Sequence, residues 1–308
     1  MSAFAQAAVT PGRCGRFAPT PSGPLHLGSL LAAVGSYLSA RRSNGRWLLR
    51  IEDLDRNRVI PGIADQMLRT LDSFGFEWDG NVEFQNTRIL LYEQALARLV
   101  AAGLCYPCRC SRSQLAAQTL EPGEELVYPG TCRSDPDASQ DPHALRFRTD
   151  AGLALVEFED RLQGPVSEDC HHAAGDFVIR RRDGFFAYHL AVVVDDELQG
   201  VTEVVRGCDL LSCTPRQILL QRALGYRTPE YTHLPLLLEA DGRKLAKSRH
   251  AVPLDADCAA PALWKVLAWL RQEPPAELAG APVNEIWAWA LPNWRPERLA
   301  GCRELRLP

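Results

Sequence analysis

The spacing of apolar residues changes repeatedly along the first hundred positions. Residues 28–43 carry leucine and valine side chains at helical spacing, which predicts a helix with a buried face. Residues 47–51 form a short apolar run typical of a buried strand, and residues 61–74 predict a second helix with a proline near its first turn. Strands and helices that alternate in this way predict βαβ units, and so an α/β fold with a parallel sheet. Ligands are then expected at the carboxyl ends of the strands.

The pattern continues beyond this region with one interruption. Residues 89–102 predict a helix closed by Gly103, whereas residues 105–142 combine cysteines with a polar loop rich in proline and aspartate. This change of composition predicts an insertion that carries its own crosslink. The remaining expected elements before residue 240 are a helix at 214–224 and strands at 177–179, 185–188, 191–194 and 234–238.

The segment beyond Asp255 predicts two helices rich in tryptophan, which include Trp264, Trp269, Trp287 and Trp289. Aromatic side chains at helical spacing most often fill cores. A packed helical cap is therefore favoured over a platform on which nucleic-acid bases would stack.

Composition restricts the class of protein. The chain has 308 residues, of which 46% are hydrophobic and 23% charged, which is typical of a soluble enzyme. No apolar run approaches the ~20 residues needed to cross a membrane, and the N-terminus lacks the basic start of a secretory signal. We therefore expect a cytoplasmic protein with no membrane partner. The net charge of −4 does not by itself point to nucleic acid.

The ten cysteines are clustered rather than evenly spaced, which favours thiols and a metal over disulfides. Cys108, Cys110 and Cys132 offer three of the four ligands of a tetrahedral zinc ion. Cys105, Tyr128 or a water molecule would complete the set. The alternative is a group of reduced cysteines with no metal.

A turn at residues 21–29 joins the first strand to the first helix and carries His26 and Gly28. The N-terminus of a helix has unpaired N–H groups and a positive dipole end, so it favours phosphate. Gly28 would let the backbone approach a ligand closely, and His26 could donate to phosphate oxygens. Alone, the segment is only a turn that contains a histidine.

A second basic segment follows a predicted Asp-Gly turn and contains Lys244 and Lys247. Two lysines on a loop between turns can clamp a polyphosphate as charge develops on it. The alternative is an exposed basic loop with no ligand.

Three further positions suit a charged substrate. Glu52 follows a buried strand together with Asp53 and Asp55, and these carboxylates are candidates for metal ligands, for binding an ammonium group or for a capped turn. Arg206 supplies a cation for a carboxylate. Tyr188 lies in an apolar segment, where a core role is the default and its hydroxyl needs a partner.

The His26 turn and the lysine segment together resemble the HIGH and KMSKS signatures of class I aminoacyl-tRNA synthetases. Other segments resemble blocks of the catalytic half of glutamyl-tRNA synthetases, at residues 16–20, 50–53, 175–177, 188–196 and 206–217. The resemblance covers residues 14–255 and is closer still to a group of short bacterial paralogues, the glutamyl-queuosine tRNA(Asp) synthetases. The chain departs from the two signatures at Ser29, Leu245 and Ala246.

The resemblance implies a Rossmann-type, doubly wound catalytic domain built from residues 1–104 and 144–255. A zinc-binding insertion would occupy residues 105–143, and residues 256–308 would form a short helical region. The residues beyond Asp255 are too few for the anticodon-binding domain of a full glutamyl-tRNA synthetase, which favours the short group.

The resemblance also implies an activity. ATP, with Mg²⁺, would activate L-glutamate as glutamyl-adenylate without tRNA, and the glutamate would then pass to the queuosine of the tRNA(Asp) anticodon. No general base for the second step is visible in the sequence.

The implied site residues fall into three sets. Glutamate would be bound by Arg16, Phe17, Ala18, Pro19, Thr20, Glu52, Tyr188 and Arg206. ATP would be bound by His26, Gly28 and Lys247, and the catalytic groups would be His26, Lys244 and Lys247. One structural zinc ion would be held by Cys108, Cys110, Tyr128 and Cys132.

Two other functions compete with this one. A truncated glutamyl-tRNA synthetase would charge the 3′ end of tRNA(Glu), and would be expected to require tRNA for activation. A binding module that keeps the fold but not the catalysis would show no activity that depends on Lys247.

Overall fold

The computed structural model of the chain describes residues 12–116, 127–135, 142–150, 154–239 and 253–306, with Ser139, Gly152 and Gly242 as single residues. The strands are β1 (Cys14–Phe17), β2 (Arg46–Ile51), β3 (Glu83–Phe84), β4 (Cys105–Cys108), β5 (Ala144–Phe147), β6 (Leu155–Asp160), β7 (Gly164–Asp169), β8 (Phe177–Arg180), β9 (Glu203–Gly207), β10 (Glu230–Leu234), β11 (Leu236–Leu238) and β12 (Glu304–Arg306). The α-helices are α1 (Leu27–Arg42), α2 (Ile63–Ser73), α3 (Ile89–Ala101), α4 (Arg112–Ala116), α5 (Cys170–Ala173), α6 (Tyr188–Leu198), α7 (Thr214–Leu224), α8 (Ala259–Trp269) and α9 (Val283–Asn293).

Parallel strands form the centre of the molecule. Strands β1, β2 and β3 pair in parallel in that order, and β9 pairs in parallel with β10. The two sets meet where β1 lies beside β9. There, the Thr202 N–H donates to the Cys14 carbonyl at 2.9 Å, and the Cys14 N–H donates to Thr202 Oγ1 at 2.9 Å. The predicted α/β fold with a parallel sheet is confirmed.

The helices predicted at residues 28–43, 61–74, 89–102 and 214–224 are present as α1, α2, α3 and α7. Helix α1 packs against β1, β2 and β9, and this contact places its N-terminus at the carboxyl end of β1. The helices therefore position the turn that contains His26 at the expected edge of the sheet.

Two strand predictions were wrong. The segment 191–194 lies in helix α6, because its run of valines is buried on all sides and has no polar face to mark the helical period. In the segment 185–188, Phe186 forms only an isolated bridge with Arg180, and Tyr188 already begins α6. The strand predicted at 234–238 is divided at Pro235 into β10 and β11. Proline has no N–H for a ladder hydrogen bond, so the pairing stops there.

The C-terminal helices α8 and α9 pack on α1 and share its apolar core. The Trp287 N–H donates to the Phe74 carbonyl at 2.9 Å, and its ring lies 4.9 Å from that of Tyr37. Trp294 is also buried and donates to Ser39 Oγ at 3.2 Å. The tryptophan-rich segment thus covers the outer side of the helix that begins at His26.

A further, antiparallel sheet is formed by β4, β5 and β8, and it includes the first strand of the segment that was expected to be an insertion. A small separate core packs on it and includes Tyr106, Cys108, Leu115, Tyr128 and Cys132. Among the helices in the described ranges, none is both long and apolar enough to cross a bilayer.

Candidate active site

A cavity of about 1540 Å³ opens at the carboxyl ends of β1 and β2. It is lined by all of the residues expected to bind glutamate, namely Arg16, Phe17, Ala18, Pro19, Thr20, Glu52, Tyr188 and Arg206. His26 also lines this cavity, whereas Gly28 lies behind the His26 ring. Lys244 and Lys247 lie outside the described residues.

His26 caps the N-terminus of α1. Its Nδ1 accepts the N–H groups of Gly28 at 3.1 Å and Ser29 at 3.3 Å. Ser29 Oγ accepts the His26 N–H at 2.7 Å, which completes a capping box. Because Nδ1 is an acceptor, the proton of the neutral ring lies on Nε2. The residue that replaces the second histidine of the HIGH pattern therefore holds the first one in place.

Gly28 lies against the His26 ring, a close approach that the sequence did not predict. A Cβ atom at position 28 would lie 3.0 Å from His26 Cε1 and 3.1 Å from Nδ1. The close approach is therefore to the histidine ring that caps the helix.

Arg16 is held by a buried ion pair. Its Nε donates to Asp196 Oδ1 at 3.2 Å, and Asp196 also pairs with Arg50 Nη1 at 2.8 Å. Burial alone would raise the pKa of Asp196, but Arg16 and Arg50 hold it below its ordinary value. Asp196 therefore stays ionised and fixes both guanidinium groups.

Glu52 lies at the end of β2 beside the same arginines. Its Oε1 is 3.4 Å from Arg50 Nη2. Burial raises the pKa of Glu52, and Arg50 and Arg16 counteract only part of this effect. A carboxylate in this setting gains from a second cation, such as a ligand ammonium group.

Arg206 differs from Arg16 because its hydrogen bonds go to uncharged groups. Nη2 donates to Thr214 Oγ1 at 2.8 Å and Nη1 donates to Tyr188 OH at 3.3 Å. Nε donates to His233 Nε2 at 3.0 Å. The structure thus gives Tyr188 the partner that its hydroxyl needs, and it leaves the charge of Arg206 for a ligand anion.

Sequence reasoning missed the residues that hold these groups. Arg50, Asp195 and Asp196 form one buried network behind Arg16 and Glu52, with Arg88 Nε donating to Asp195 Oδ1 at 2.6 Å. The one available signal was an acidic pair directly after three valines, which is unusual for a surface segment.

The cysteine cluster lies at the border of the cavity. Cys108, Cys110 and Cys132 have sulfur atoms within 4.8 Å of one another, and those of Cys110 and Cys132 are 3.5 Å apart. The Tyr128 hydroxyl lies 3.3 Å from Cys108 Sγ and 3.6 Å from Cys110 Sγ. Zinc–sulfur bonds of about 2.3 Å give tetrahedral edges of about 3.8 Å, so these four groups fit such an ion. Cys105 lies outside this group.

Two buried residues support the cluster. Arg146 Nε donates to Cys108 Sγ at 3.2 Å, and its guanidinium lies 3.8 Å from the centre of the Tyr128 ring. Asp176 accepts from Tyr106 OH at 2.5 Å and from Arg133 Nε at 2.5 Å. These contacts tie β4 and the Cys132 loop to the start of β8.

Comparisons with known proteins agree with this geometry. The catalytic-domain family of class I tRNA synthetases (E and Q) matches residues 14–258. The chain is 52% identical over 282 residues to the glutamyl-Q tRNA(Asp) synthetase of Dechloromonas aromatica (strain RCB), covering 91% of this chain and 93% of the relative. It is 51% identical over 293 residues to that of Geobacter sulfurreducens (strain ATCC 51573 / DSM 12127 / PCA), covering 92% and 93%.

A solved structure has the same fold. The glutamate tRNA ligase of Elizabethkingia meningosepticum CCUG26117, in complex with its amino acid, superposes with a TM-score of 0.78 at 22% identity. The match covers 96% of this chain and 67% of that one. On the family match and the two close relatives, the chain belongs to the glutamyl-Q tRNA(Asp) synthetases, which are aminoacyl-tRNA synthetase-like ligases with a class I catalytic domain.

Proposed function

We propose that this chain activates L-glutamate with ATP in the absence of tRNA and then transfers it to the queuosine of the tRNA(Asp) anticodon. One observation carries the proposal: Arg16, Glu52 and Arg206 line a single cavity. Two cations and one anion complement an amino acid that has two carboxylates and one ammonium group. The printed names of the two relatives support the choice of acceptor.

The residues expected to bind glutamate then have separate roles. Glu52 takes the α-ammonium group, and Arg16 and Arg206 take the carboxylates. Residues 17–20 form the wall behind the substrate, and Tyr188 orients Arg206 through its hydroxyl. Because Arg16 and Glu52 are already held by Arg50 and Asp196, little reorganisation is needed on binding.

ATP binding is assigned to the turn before α1. His26 Nε2 donates to phosphate oxygens next to the N-terminus of the helix, whose dipole favours negative charge. Gly28 permits the position of the ring, and Lys244 and Lys247 supply the cations for the leaving pyrophosphate. As part of the same proposal, residues 1–104 and 144–255 form a doubly wound nucleotide-binding domain.

The reaction follows from this placement. An oxygen of the glutamate α-carboxylate attacks the α-phosphorus of ATP, and the bond to the bridging oxygen breaks so that pyrophosphate leaves with its electron pair. A hydroxyl of queuosine then attacks the carbonyl carbon, loses its proton, and releases AMP. Orientation and fixed electrostatics supply most of the rate enhancement.

Zinc is proposed as a structural ion held by Cys108, Cys110, Tyr128 and Cys132. When bound, it supplies a crosslink within residues 105–143 rather than a reactive centre, because three thiolates and a phenol oxygen fill its four positions. Purified protein is expected to contain one equivalent of zinc, and Cys108→Ser should lose it. Metal-free protein with full activity and stability would refute this part.

The acceptor is tested with radiolabelled glutamate, ATP and two tRNA pools, one that contains queuosine and one from cells unable to make it. Label should enter only the first pool, and Lys247→Ala should abolish the transfer. Equal labelling of both pools would instead support a truncated glutamyl-tRNA synthetase.

Activation is tested separately by glutamate-dependent exchange of pyrophosphate into ATP. We expect exchange with no tRNA present. A strict requirement for tRNA would contradict the proposed first step, and a lack of exchange under any condition would favour a binding module.

A further inference from the structure

Behind Arg206 lie two buried side chains, His233 and Asp160, that the proposed reaction does not use. Arg206 Nε donates to His233 Nε2 at 3.0 Å, and His233 Nδ1 lies 2.6 Å from Asp160 Oδ2. The exposed fractions of Arg206, His233 and Asp160 are 5%, 0% and 1%. Helix α7 closes the group through Thr214, whose Oγ1 is 3.3 Å from His233 Nε2.

The hydrogen bonds fix the protonation pattern of these three side chains. An arginine Nε–H can only donate, so His233 Nε2 must accept. The proton of the neutral ring therefore lies on Nδ1 and is donated to Asp160. The other oxygen, Oδ1, accepts the N–H groups of Leu162 at 3.0 Å and Gln163 at 2.9 Å. The carboxylate is thus held by the backbone, and the imidazole by the carboxylate.

We propose that His233 and Asp160 are positioning residues for glutamate binding, which set the plane in which Arg206 presents its guanidinium to the substrate. The inference rests on the proposed role of Arg206 as a glutamate ligand. Nη1 and Nη2 donate to Tyr188 and Thr214, and the acceptor at Nε adds a third contact that keeps the guanidinium from tilting. Without that acceptor, a buried N–H would also lose its partner.

Two substitutions of His233 separate positioning from packing. In His233→Gln the amide oxygen reaches the place of Nε2 and still accepts from Arg206. In His233→Asn the shorter amide reaches only the place of Nδ1, so the bond to Asp160 is kept and the bond to Arg206 is lost. Both variants remove the aromatic ring, so both lose thermal stability.

The measurement is the dissociation constant of labelled L-glutamate by equilibrium dialysis, together with the KM values for glutamate and ATP in pyrophosphate exchange. His233→Asn should weaken glutamate binding about 10- to 100-fold and leave the KM for ATP unchanged, whereas His233→Gln should retain affinity within about threefold. Equal glutamate affinities in the two variants would overturn the inference.

Asp160→Asn provides an independent test. The backbone N–H groups at Oδ1 require the amide oxygen there, so the amide NH₂ must face His233 Nδ1 and drive its proton to Nε2, against Arg206. This variant should therefore lose glutamate affinity as His233→Asn does. Asp160→Asn with the affinity of the unmodified chain would contradict the proposed protonation pattern.

Arg206→Ala distinguishes this inference from the proposed function. If it binds glutamate normally, Arg206 is not a ligand and the proposed site is wrong. If Arg206→Ala abolishes binding while the two His233 variants bind alike, only the positioning role is wrong.

Discussion

His26 serves two purposes, since its Nδ1 caps α1 and the residue also lines the cavity. The cap bonds to Gly28 and Ser29 fix which nitrogen carries the proton. Substitutions near the ring should therefore affect ATP chemistry through its orientation, without any direct contact with ATP.

Gly28→Ala tests this orientation. The added Cβ would lie 3.0 Å from the ring, so His26 or the first turn of α1 must shift by a few tenths of an ångström. We expect pyrophosphate exchange to fall about threefold or more, with the affinity for glutamate little changed, because a 1 Å displacement can cost about 100-fold in rate and this shift is smaller. Gly280→Ala is the control, since a Cβ there meets nothing within 4 Å. Equal rates in both variants would argue against the positioning of His26 by its neighbours.

Glu52 should make glutamate binding sensitive to acid. Burial raises its pKa above the ordinary value of 4.5, and only the ionised form attracts the α-ammonium group. Affinity should therefore be full well above the raised pKa and fall as the pH drops through it, at a higher pH than for an exposed carboxyl. Glu52→Gln should bind glutamate about 10- to 100-fold more weakly at neutral pH and lose this dependence.

Dialysis across a pH series measures both effects. Glu203→Gln serves as the control, because Glu203 is another buried carboxyl with a raised pKa but pairs with Arg13 outside the cavity. An acid dependence that survives in Glu52→Gln would assign it to another group.

At the scale of secondary-structure elements, the strands around the cysteine cluster depend on one carboxylate. Asp176 Oδ1 accepts both the N–H and the Oγ1–H of Thr149 at 2.8 Å. Its Oδ2 accepts hydrogen bonds from Tyr106 OH and from Arg133 Nε. Burial alone would raise the pKa of Asp176, but the bonds from Arg133 and Tyr106 hold it below its ordinary value. The carboxylate is therefore ionised when it joins β4, β5 and the Cys132 loop.

Asp176→Asn should destabilise this unit. Breaking a buried ion pair costs about 3–5 kcal/mol, and loss of support around a metal site typically weakens metal binding about 10- to 100-fold. Denaturant unfolding and the release of zinc to a chromogenic chelator measure the two effects. Asp150→Asn is matched to it, because Asp150 also pairs with Arg133, at 3.6 Å, but is partly exposed. Similar losses in the two variants would show that burial of Asp176 is not the cause.

The elements differ in how far the sequence could predict them. Helices α2 and α3 have a polar face, so periodicity located them within a few residues. Helix α1 is buried on nearly all sides and was located by its leucine spacing and by the turn before it. Helix α6 has buried residues from Leu190 to Asp196 and was predicted as strands, because a helix buried on all sides shows no period. The resemblance to glutamyl-tRNA synthetases placed Arg16, Glu52 and Arg206 in one site in advance. It could not find His233 behind Arg206, since their bond depends on the pairing of β9 with β10.

At the scale of the whole molecule, the site and the C-terminal helices share one core. Helix α1 carries His26 at its first turn and packs along its length against α8 and α9. Trp287 is buried against Tyr37 and Phe76, at ring distances of 4.9 and 5.1 Å. The stability of the turn that contains His26 should therefore depend on Trp287, although Trp287 does not line the cavity.

Trp287→Ala tests this dependence. Truncation of a buried aromatic residue costs about 3–5 kcal/mol, so the variant should unfold at a lower temperature. Trp289→Ala, on the same helix but only half-buried, should lose less than half as much. At low temperature, where the variant is folded, pyrophosphate exchange should match that of the unmodified chain, because Trp287 touches none of the proposed ligands.

On heating the variant, activity, the far-UV circular dichroism signal and the native tryptophan fluorescence should be lost together. Fluorescence reports mainly on the C-terminal helices and the segment after them, which hold five of the seven tryptophans of the chain and four of the six that remain in this variant. If exchange persists after the fluorescence transition, residues 256–308 form a separate unit, and the shared core does not hold the active site in place.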